Sequence, residues 1–271
     1  MEYITSVNNP KIKQVAKLVS SAKTRREEGL FVLEGLRLCM DVVRTGLRAE
    51  ELYFTEEALE KSPEELQALM AVSTSSFQVT PQVAAKLSDT QHSQGVYCVL
   101  RSLDKQKGYT KIEKTSGRET YVLLENVQDP ANLGAISRTA EALGITGLIV
   151  SGGCDVYSPK ALRASMGALL RIPVLLTDNV LETLKQAEIA GFRTYASTPS
   201  ADATPVTDVS FTGGAICVVG NEANGVTDET LAACQERITI PMAGRAESLN
   251  AGAAASILMW EMVTRNETAE L

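Results

Sequence analysis

Three segments of the 271-residue chain concentrate side chains that bind and orient polar ligands: ENVQDPANLGAISRTAEALG at 125–144, VVGNEANGV at 218–226 and IPMAGRAESLNAGAAASILMWEM at 240–262. In the first, Asp129 and Pro130 close a strand region, Asn132 can cap a helix, and Gly134 lets another backbone approach. Leu133, Ile136, Ala140 and Leu143 recur at helical spacing, which puts Arg138 on the opposite side, away from its own sheet. An arginine there is either an ordinary surface residue or a ligand cation. The Asn, Asp, Pro and Gly just upstream weaken a helix and favour the second reading. In the second segment, Glu222 follows a strand end and either caps or accepts hydrogen bonds from a ligand. In the third, Ser248 or Asn250 can cap a helix whose first turns are Ala and Gly, a pattern that serves close packing as readily as a ligand.

The chemistry these groups allow is narrow. Amides, hydroxyls, one guanidinium and one carboxylate suit binding and alignment rather than covalent catalysis. The second segment is neither GxGxxG nor a P-loop, and no Gly-Lys-Ser/Thr tripeptide occurs anywhere, which argues against a phosphate-loop nucleotide enzyme. Histidine occurs once, at His92, so a His-rich metal site is not expected and a Ser-His-Asp triad would have to use that residue. The five cysteines, Cys39, Cys98, Cys154, Cys217 and Cys234, show no CxxC spacing and read as reduced thiols, which points to the cytoplasm.

These segments need elements to hold them. From Tyr121 onward short apolar runs alternate with helical ones: YVLLEN, a helix over about 132–143, GLIVSG, a helix after Pro159, VLLT, a helix over about 179–190, RTYAST, AICVVG, a helix after Thr227, RITIP, and a last helix over about 248–265. The pattern predicts an α/β fold, a mostly parallel sheet covered by helices on both faces, with ligands beyond the carboxyl ends of its strands. A small α/β domain precedes it. There Ile12, Val15, Ala16 and Val19 share a helix face, strands are expected at 31–33, 52–55, 77–80 and 96–100, and helices at 36–45 and 81–87. The polar stretch RSLDKQKGYTKIEKTSGRET reads as a linker. The expected organisation is thus a domain over 1–101, a linker over 102–120 and a second domain over 121–271.

Apolar residues make up 44% of the chain and 26 basic residues face 33 acidic ones, a net charge of −7. Phosphate binding relies on Lys and Arg, so the mean argues against nucleic acid. The distribution does not. Lys11, Lys13, Lys17, Lys23, Arg25 and Arg26 stand against Glu2 alone within the first 26 residues, and a second basic run lies in the linker. Such runs also occur as plain solvated surface. With no apolar stretch long enough for a signal peptide or a membrane span, a soluble protein without membrane contact is expected.

NVQDPANLGAISRTAEALG, GNEANGV and IPMAGRAESLNAGAAASI, in that order, resemble the SpoU or TrmH-type RNA ribose 2′-O-methyltransferases of the SPOUT superfamily. RREEGLFVLEGLRL and LSDTQHSQGVYCVL look like the ribosomal-protein-like substrate-binding domain that precedes the catalytic domain in many members. The resemblance implies S-adenosylmethionine as methyl donor, an RNA substrate, ribosomal rather than transfer RNA, a homodimer, no metal, and a deep C-terminal trefoil knot, although chains generally avoid knots. Carried over by position, it assigns catalytic roles to Arg138, Asn132, Glu222, Ser248 and Asn250, and cofactor contacts to Thr198, Gly220, Ile240, Met242 and Leu249. Gln128 and Ala251 depart modestly from the family pattern.

The chemistry agrees with the constellation. A sulfonium methyl is already activated, so the enzyme must align a ribose 2′-oxygen with it and ease loss of the proton. Guanidinium groups stay protonated in proteins, so Arg138 is read as binding the adjacent phosphate and stabilising developing alkoxide charge, with the proton passing to water or phosphate. The competing reading is a non-catalytic RNA-binding or ribosome-assembly factor on the same scaffold. RNA contact is expected through Lys11, Lys13, Lys17, Lys23, Arg25 and Arg26, by shape and phosphate rather than by a stacking platform, because aromatic residues are few.

Overall fold

A computed structural model of the chain describes residues 2–91, 93–103 and 112–267, so His92 and the stretch 104–111 of the expected linker lie outside the described residues. Two compact units form: Met1–Gly108 with Asp155–Leu170, and Tyr109–Cys154 with Arg171–Leu271. Residues 155–170, expected in the second domain, therefore group with the first unit. Parts of the expected linker are packed. Leu103 is buried and its N–H donates to the Tyr157 hydroxyl at 2.8 Å. On the other side Ile112 packs against the core of the second unit.

The first unit is built on a five-stranded mixed sheet, in the order β1-β4-β3-β5-β2. Its strands are β1 (Glu2–Ile4), β2 (Leu30–Glu34), β3 (Ala49–Thr55), β4 (Ser73–Val79) and β5 (Val96–Arg101). Helix α1 (Pro10–Ser20) starts at Asn9, whose side chain accepts from the Lys11 N–H, and buries Ile12, Val15 and Leu18. This i, i+3, i+6 stripe packs into the core with Tyr53, Phe77 and Tyr97. Next come α2 (Ala22–Glu28), α3 (Leu36–Arg44), α4 (Glu56–Lys61), α5 (Pro63–Ala71) and α6 (Pro81–Leu87). The reading of the sequence placed no helix between Thr55 and Phe77. Helices α4 and α5 are short, Glu-rich and split at Pro63, and they bury only Ala58, Leu66 and Leu69. Their apolar period is too sparse to register. Two further helices of the chain, α8 (Pro159–Ala164) and α9 (Ala168–Arg171), begin in the segment 155–170.

The second unit is a seven-stranded sheet in the order β10-β12-β9-β11-β6-β7-β8, and every recorded pairing in it is parallel. The strands are β6 (Thr120–Glu125), β7 (Gly147–Ser151), β8 (Val174–Thr177), β9 (Arg193–Ser197), β10 (Thr204–Pro205), β11 (Ala215–Val219) and β12 (Glu236–Thr239). Every residue of β6 and β11 is buried, as expected for strands covered on both faces. The helices are α7 (Pro130–Ala142), α10 (Val180–Ile189), α11 (Asp228–Ala233) and α12 (Ala251–Glu267). From β6 the chain steps outward through β7 and β8, then returns to lay down β9, β11 and β12 on the other side. That reversal makes the β6–β11 boundary the switch point of the sheet, and Leu124 pairs with Val219 there. The carboxyl ends of β12, β9, β11 and β6 are consecutive along one edge, which gathers the loops after Thr239, Ser197, Val219 and Glu125.

Candidate active site

Strand β6 is followed by Asn126, whose positive φ of 57° turns the chain sharply while its N–H donates to Ser151 O at 2.7 Å. Asn can adopt this left-handed conformation where bulkier residues resist it. Gly153 faces the same loop: a Cβ on it would lie 2.1 Å from the Val127 carbonyl oxygen. Helix α7 then starts at Pro130, capped by Asp129, whose Oδ1 accepts the Ala131 N–H at 2.8 Å. The cap is Asp129 and not Asn132, which corrects the reading of the sequence. Freed from capping, the buried Asn132 side chain faces the other two loops.

Beside it, the loop after β11 folds back on itself, with reciprocal backbone bonds between Asn221 and Gly225 at 3.0 and 2.9 Å. A side chain at Gly220 would put its Cβ 2.1 Å from the carbonyl carbon of Gly225, so only glycine allows this approach. Asn221 Nδ2 reaches Asn126 O at 2.9 Å, tying the first loop to the second. Glu222 accepts the N–H of Gln128 at 3.0 Å, the N–H of Asp129 at 2.9 Å and Asn132 Nδ2 at 2.9 Å. Partial burial pushes this carboxyl up, but the bonds from Asn132, Gln128 and Asp129 outweigh it and hold it down at about 2. Such an anion is a poor base and a firm anchor.

The third loop joins through Asn250. Its Nδ2 donates to Asn132 Oδ1 at 2.9 Å, while its own Oδ1 accepts the N–H of Gly252 at 2.9 Å and of Ala253 at 3.2 Å, capping α12. Asn250, not Ser248, is therefore the cap, and the helix begins at Ala251. Glu222, Asn132 and Asn250 thus form one hydrogen-bonded line across all three loops, with the central amide used in both directions. Small residues make this possible. Gly252 faces Ala135 and Asn132, where its missing Cβ would stand 3.5 Å from each.

The remaining candidates fall into groups. Thr198, Gly220 and Ile240 lie at or just beyond the carboxyl ends of the adjacent strands β9, β11 and β12, and Thr198 N donates to Ile238 O at 2.9 Å. Met242, Ser248 and Leu249 lie in the stretch 241–250, all of it exposed. Arg138 is exposed on α7 and makes no recorded ion pair or hydrogen bond among the described residues. In the first unit, Lys13, Lys17, Lys23 and Arg26 are exposed, although Lys23 pairs with Glu27 at 3.8 Å. Lys11 pairs with Glu51 at 3.3 Å and stands 4.9 Å from the Phe77 ring centre. Arg25 departs from expectation. It is buried, its Nε bonds Asp155 at 2.7 Å, and its Nη1 donates to Leu18 O and Val19 O at 2.5 and 3.0 Å. Its donors are committed to the fold, so it is withdrawn from the RNA-binding set. Glu125, the first residue of the 125–144 segment, has no role assigned from the sequence; it stands behind the loops rather than among the candidate site residues.

A doubly covered parallel sheet with polar loops gathered at its switch point defines an α/β ligand-binding enzyme domain, preceded here by a smaller mixed-sheet unit. Residues 119–260 match the SpoU rRNA Methylase family, and residues 9–98 match the MRM3-like substrate binding domain. The chain belongs to the SpoU rRNA methylase family. It is 32% identical over 259 residues to an uncharacterized tRNA/rRNA methyltransferase of Synechocystis, covering 95% of this chain and 92% of that one. Identity is 30% to a 23S rRNA uridine 2′-O-methyltransferase of Streptomyces viridochromogenes, over 96% of this chain and 91% of that protein. Among solved structures, an AdoMet-bound rRNA methyltransferase from Sinorhizobium meliloti superposes with a TM-score of 0.84 at 28% identity, covering 96% of this chain and 97% of the other.

Proposed function

We propose that this protein transfers a methyl group from S-adenosylmethionine to a ribose 2′-hydroxyl of RNA, and that the RNA is ribosomal. The observation that carries the reading is the Glu222–Asn132–Asn250 line, which fixes three loops at the switch point of a parallel sheet. The residues suit the methyl donor. Three adjacent strand ends offer backbone groups at Thr198, Gly220 and Ile240, and the exposed side chains of Met242 and Leu249 can flank an adenine. When bound, S-adenosylmethionine supplies an activated methyl on a sulfonium, so the protein's part is alignment. Asn132 and Asn250 hold the loops in register. Arg138 binds the phosphate next to the target ribose and stabilises charge developing on its 2′-oxygen. Glu222, held at about 2 by three donors, anchors the loops rather than taking the proton, which leaves to water or phosphate.

The protein acts as a cytoplasmic homodimer in this reading. Support comes from α7 and α12, which lie side by side with Thr139 Oγ1 3.1 Å from Ser256 Oγ. At i, i+4, i+7 spacing they expose Ala131, Ala135 and Arg138 on one helix and Ala253, Ile257 and Trp260 on the other. An apolar stripe around an unpaired arginine is what a second copy would cover, placing Arg138 at a shared site. The second unit is read as carrying the trefoil knot, and Lys13, Lys17, Lys23 and Arg26 as contacting RNA phosphates.

The test is methylation of ribosomal and transfer RNA with radiolabelled S-adenosylmethionine, followed by mapping of ribose methylation. Label in a ribose 2′-O position of ribosomal RNA is expected. Intact dimer with no cofactor binding by calorimetry overturns the reading, and Arg138→Ala losing transfer while keeping RNA affinity excludes a non-catalytic factor.

A further inference from the structure

The loop after β11 is held at its start and tip by the contacts described above, but its exit needs a third point, and Glu125 supplies it. Glu125 is the last residue of β6 and is buried, 8% exposed. Its Oε2 accepts the Thr227 N–H at 2.9 Å, and its Oε1 accepts the hydroxyls of Thr227 at 2.9 Å and Thr230 at 2.6 Å. Thr227 is also the cap of α11, its hydroxyl accepting the Thr230 N–H at 3.3 Å. One carboxyl group therefore grips both the last residue of the loop and the first turn of the helix that follows, from a strand more than a hundred residues earlier in the chain.

The consequence is geometric. Gly220 lies between β11, which is paired on both sides in the sheet, and the loop whose exit at Thr227 is held by Glu125. Val226, the residue between the loop and the clamp, is buried and transmits the constraint into the core. Glu125 and Thr230 are buried while Thr227 is exposed, so it is the Thr230 hydroxyl that has no water to replace a lost acceptor, and the turn must shift to satisfy it. We infer that Glu125 is a positioning residue: through Thr227 and Thr230 it sets the exit of the 220–227 loop, and thereby the affinity of the backbone at Gly220 for the methyl donor. This rests on the reading of that loop as a cofactor contact.

Two measurements separate the inference from that reading. Hydrogen exchange of the amides of residues 221–227, without cofactor, reports the clamp alone. In Glu125→Gln an amide nitrogen replaces one acceptor, and exchange there is expected to rise by about tenfold or more while other amides of the sheet are unchanged. Calorimetry with S-adenosylmethionine reports the consequence: Kd is expected to rise by about tenfold, with kcat at saturating cofactor within about twofold of wild type. If Glu125→Gln does not fold, Thr230→Val and Thr230→Ser take its place. The serine keeps the hydroxyl and is expected to match wild type, whereas the near-isosteric valine is expected to weaken cofactor binding and loosen the loop. Wild-type protein that binds no cofactor overturns the functional reading and leaves the exchange result to judge the clamp. Unchanged exchange in folded Glu125→Gln or Thr230→Val, or unchanged Kd where wild type binds, overturns the inference.

Discussion

Replacing Glu222 with Gln tests whether the carboxylate is the electrostatic anchor of the three loops. Glu222 accepts from Gln128 N, Asp129 N and Asn132 Nδ2, and its pKa is held at about 2 against an ordinary value of 4.5. At about 1.4 kcal/mol for each tenfold change in proton affinity, the gap would be worth roughly 3 kcal/mol. Glu222 is exposed, and solvent screening reduces this to about 1–2 kcal/mol. The sign follows from the direction. A carboxyl depressed in the folded state stabilises above its unfolded value of 4.5, and the contribution fades as pH falls towards 2. Glu222→Gln should therefore be less stable than wild type by about 1–2 kcal/mol near pH 7, and the difference should shrink steadily below about pH 5. Trp260, the single tryptophan, lies on α12 of the second unit, so its fluorescence during denaturant unfolding reads the unit that holds the site. A difference that stays constant from about pH 7 to about pH 3 would refute the reasoning, because a neutral packing defect has no such titration.

Arg138→Ala is expected to cost about 100-fold or more in methyl transfer with little change in melting temperature, since the side chain is exposed and makes no recorded ion pair. Single-turnover kinetics with thermal melts checks both halves. Gly220→Ala puts a Cβ 2.1 Å from backbone that no rotamer change can move; weakened cofactor binding by calorimetry and a loss of about 1–3 kcal/mol in unfolding are expected. Arg25 and its neighbours should separate cleanly. Arg25→Ala strands the buried-side partners Asp155, Leu18 O and Val19 O, and should destabilise by about 3–5 kcal/mol in denaturant unfolding. Lys13→Ala with Lys17→Ala should leave stability alone but weaken RNA binding and reduce its salt slope by about 1–2 in filter binding across salt concentrations.

How much of this was legible beforehand depended on whether a residue's role is local. The spacing of Leu133, Ile136 and Ala140 and the apolar runs of β6 and β11 specify a helix and two buried strands without outside help, and the loops after Glu125, Val219 and Thr239 do converge at the strand ends. Asn132 is a possible cap of α7 by residue type alone, yet Pro130 carries the deciding signal: proline favours the first helical position, which makes the residue before it, Asp129, the cap. Arg25 and Glu125 were not legible at all. Each is defined by a partner more than a hundred residues away, Asp155 for one and Thr227 for the other, and no window of sequence contains both ends. Arg25 is indistinguishable in sequence from its basic neighbours, and only the fold shows that it is the buried one. Strand β1 escaped for a simpler reason, being a three-residue edge strand whose first two residues are exposed.

The geometry of Glu222 also bears on where the ribose proton goes. A general base works best with a pKa near the operating pH, and a carboxyl at about 2 lies far below it, with both oxygens already bonded to protein donors. Asn132 and Asn250 are spent on each other and on the helix cap, and amides are poor bases in any case. Arg138, a donor only, can stabilise an alkoxide but not accept its proton. Under the proposed function, these four side chains leave the proton to water or RNA phosphate. It follows that the pH dependence of kcat contains no titration of Glu222: wild type and Glu222→Gln should differ in level but trace profiles of the same shape above about pH 5. An acidic limb that is present in wild type and vanishes in Glu222→Gln would make this carboxylate the base after all. It would also require donors that now bind it to let go during the reaction, something hydrogen exchange at Gln128 and Asp129 could detect.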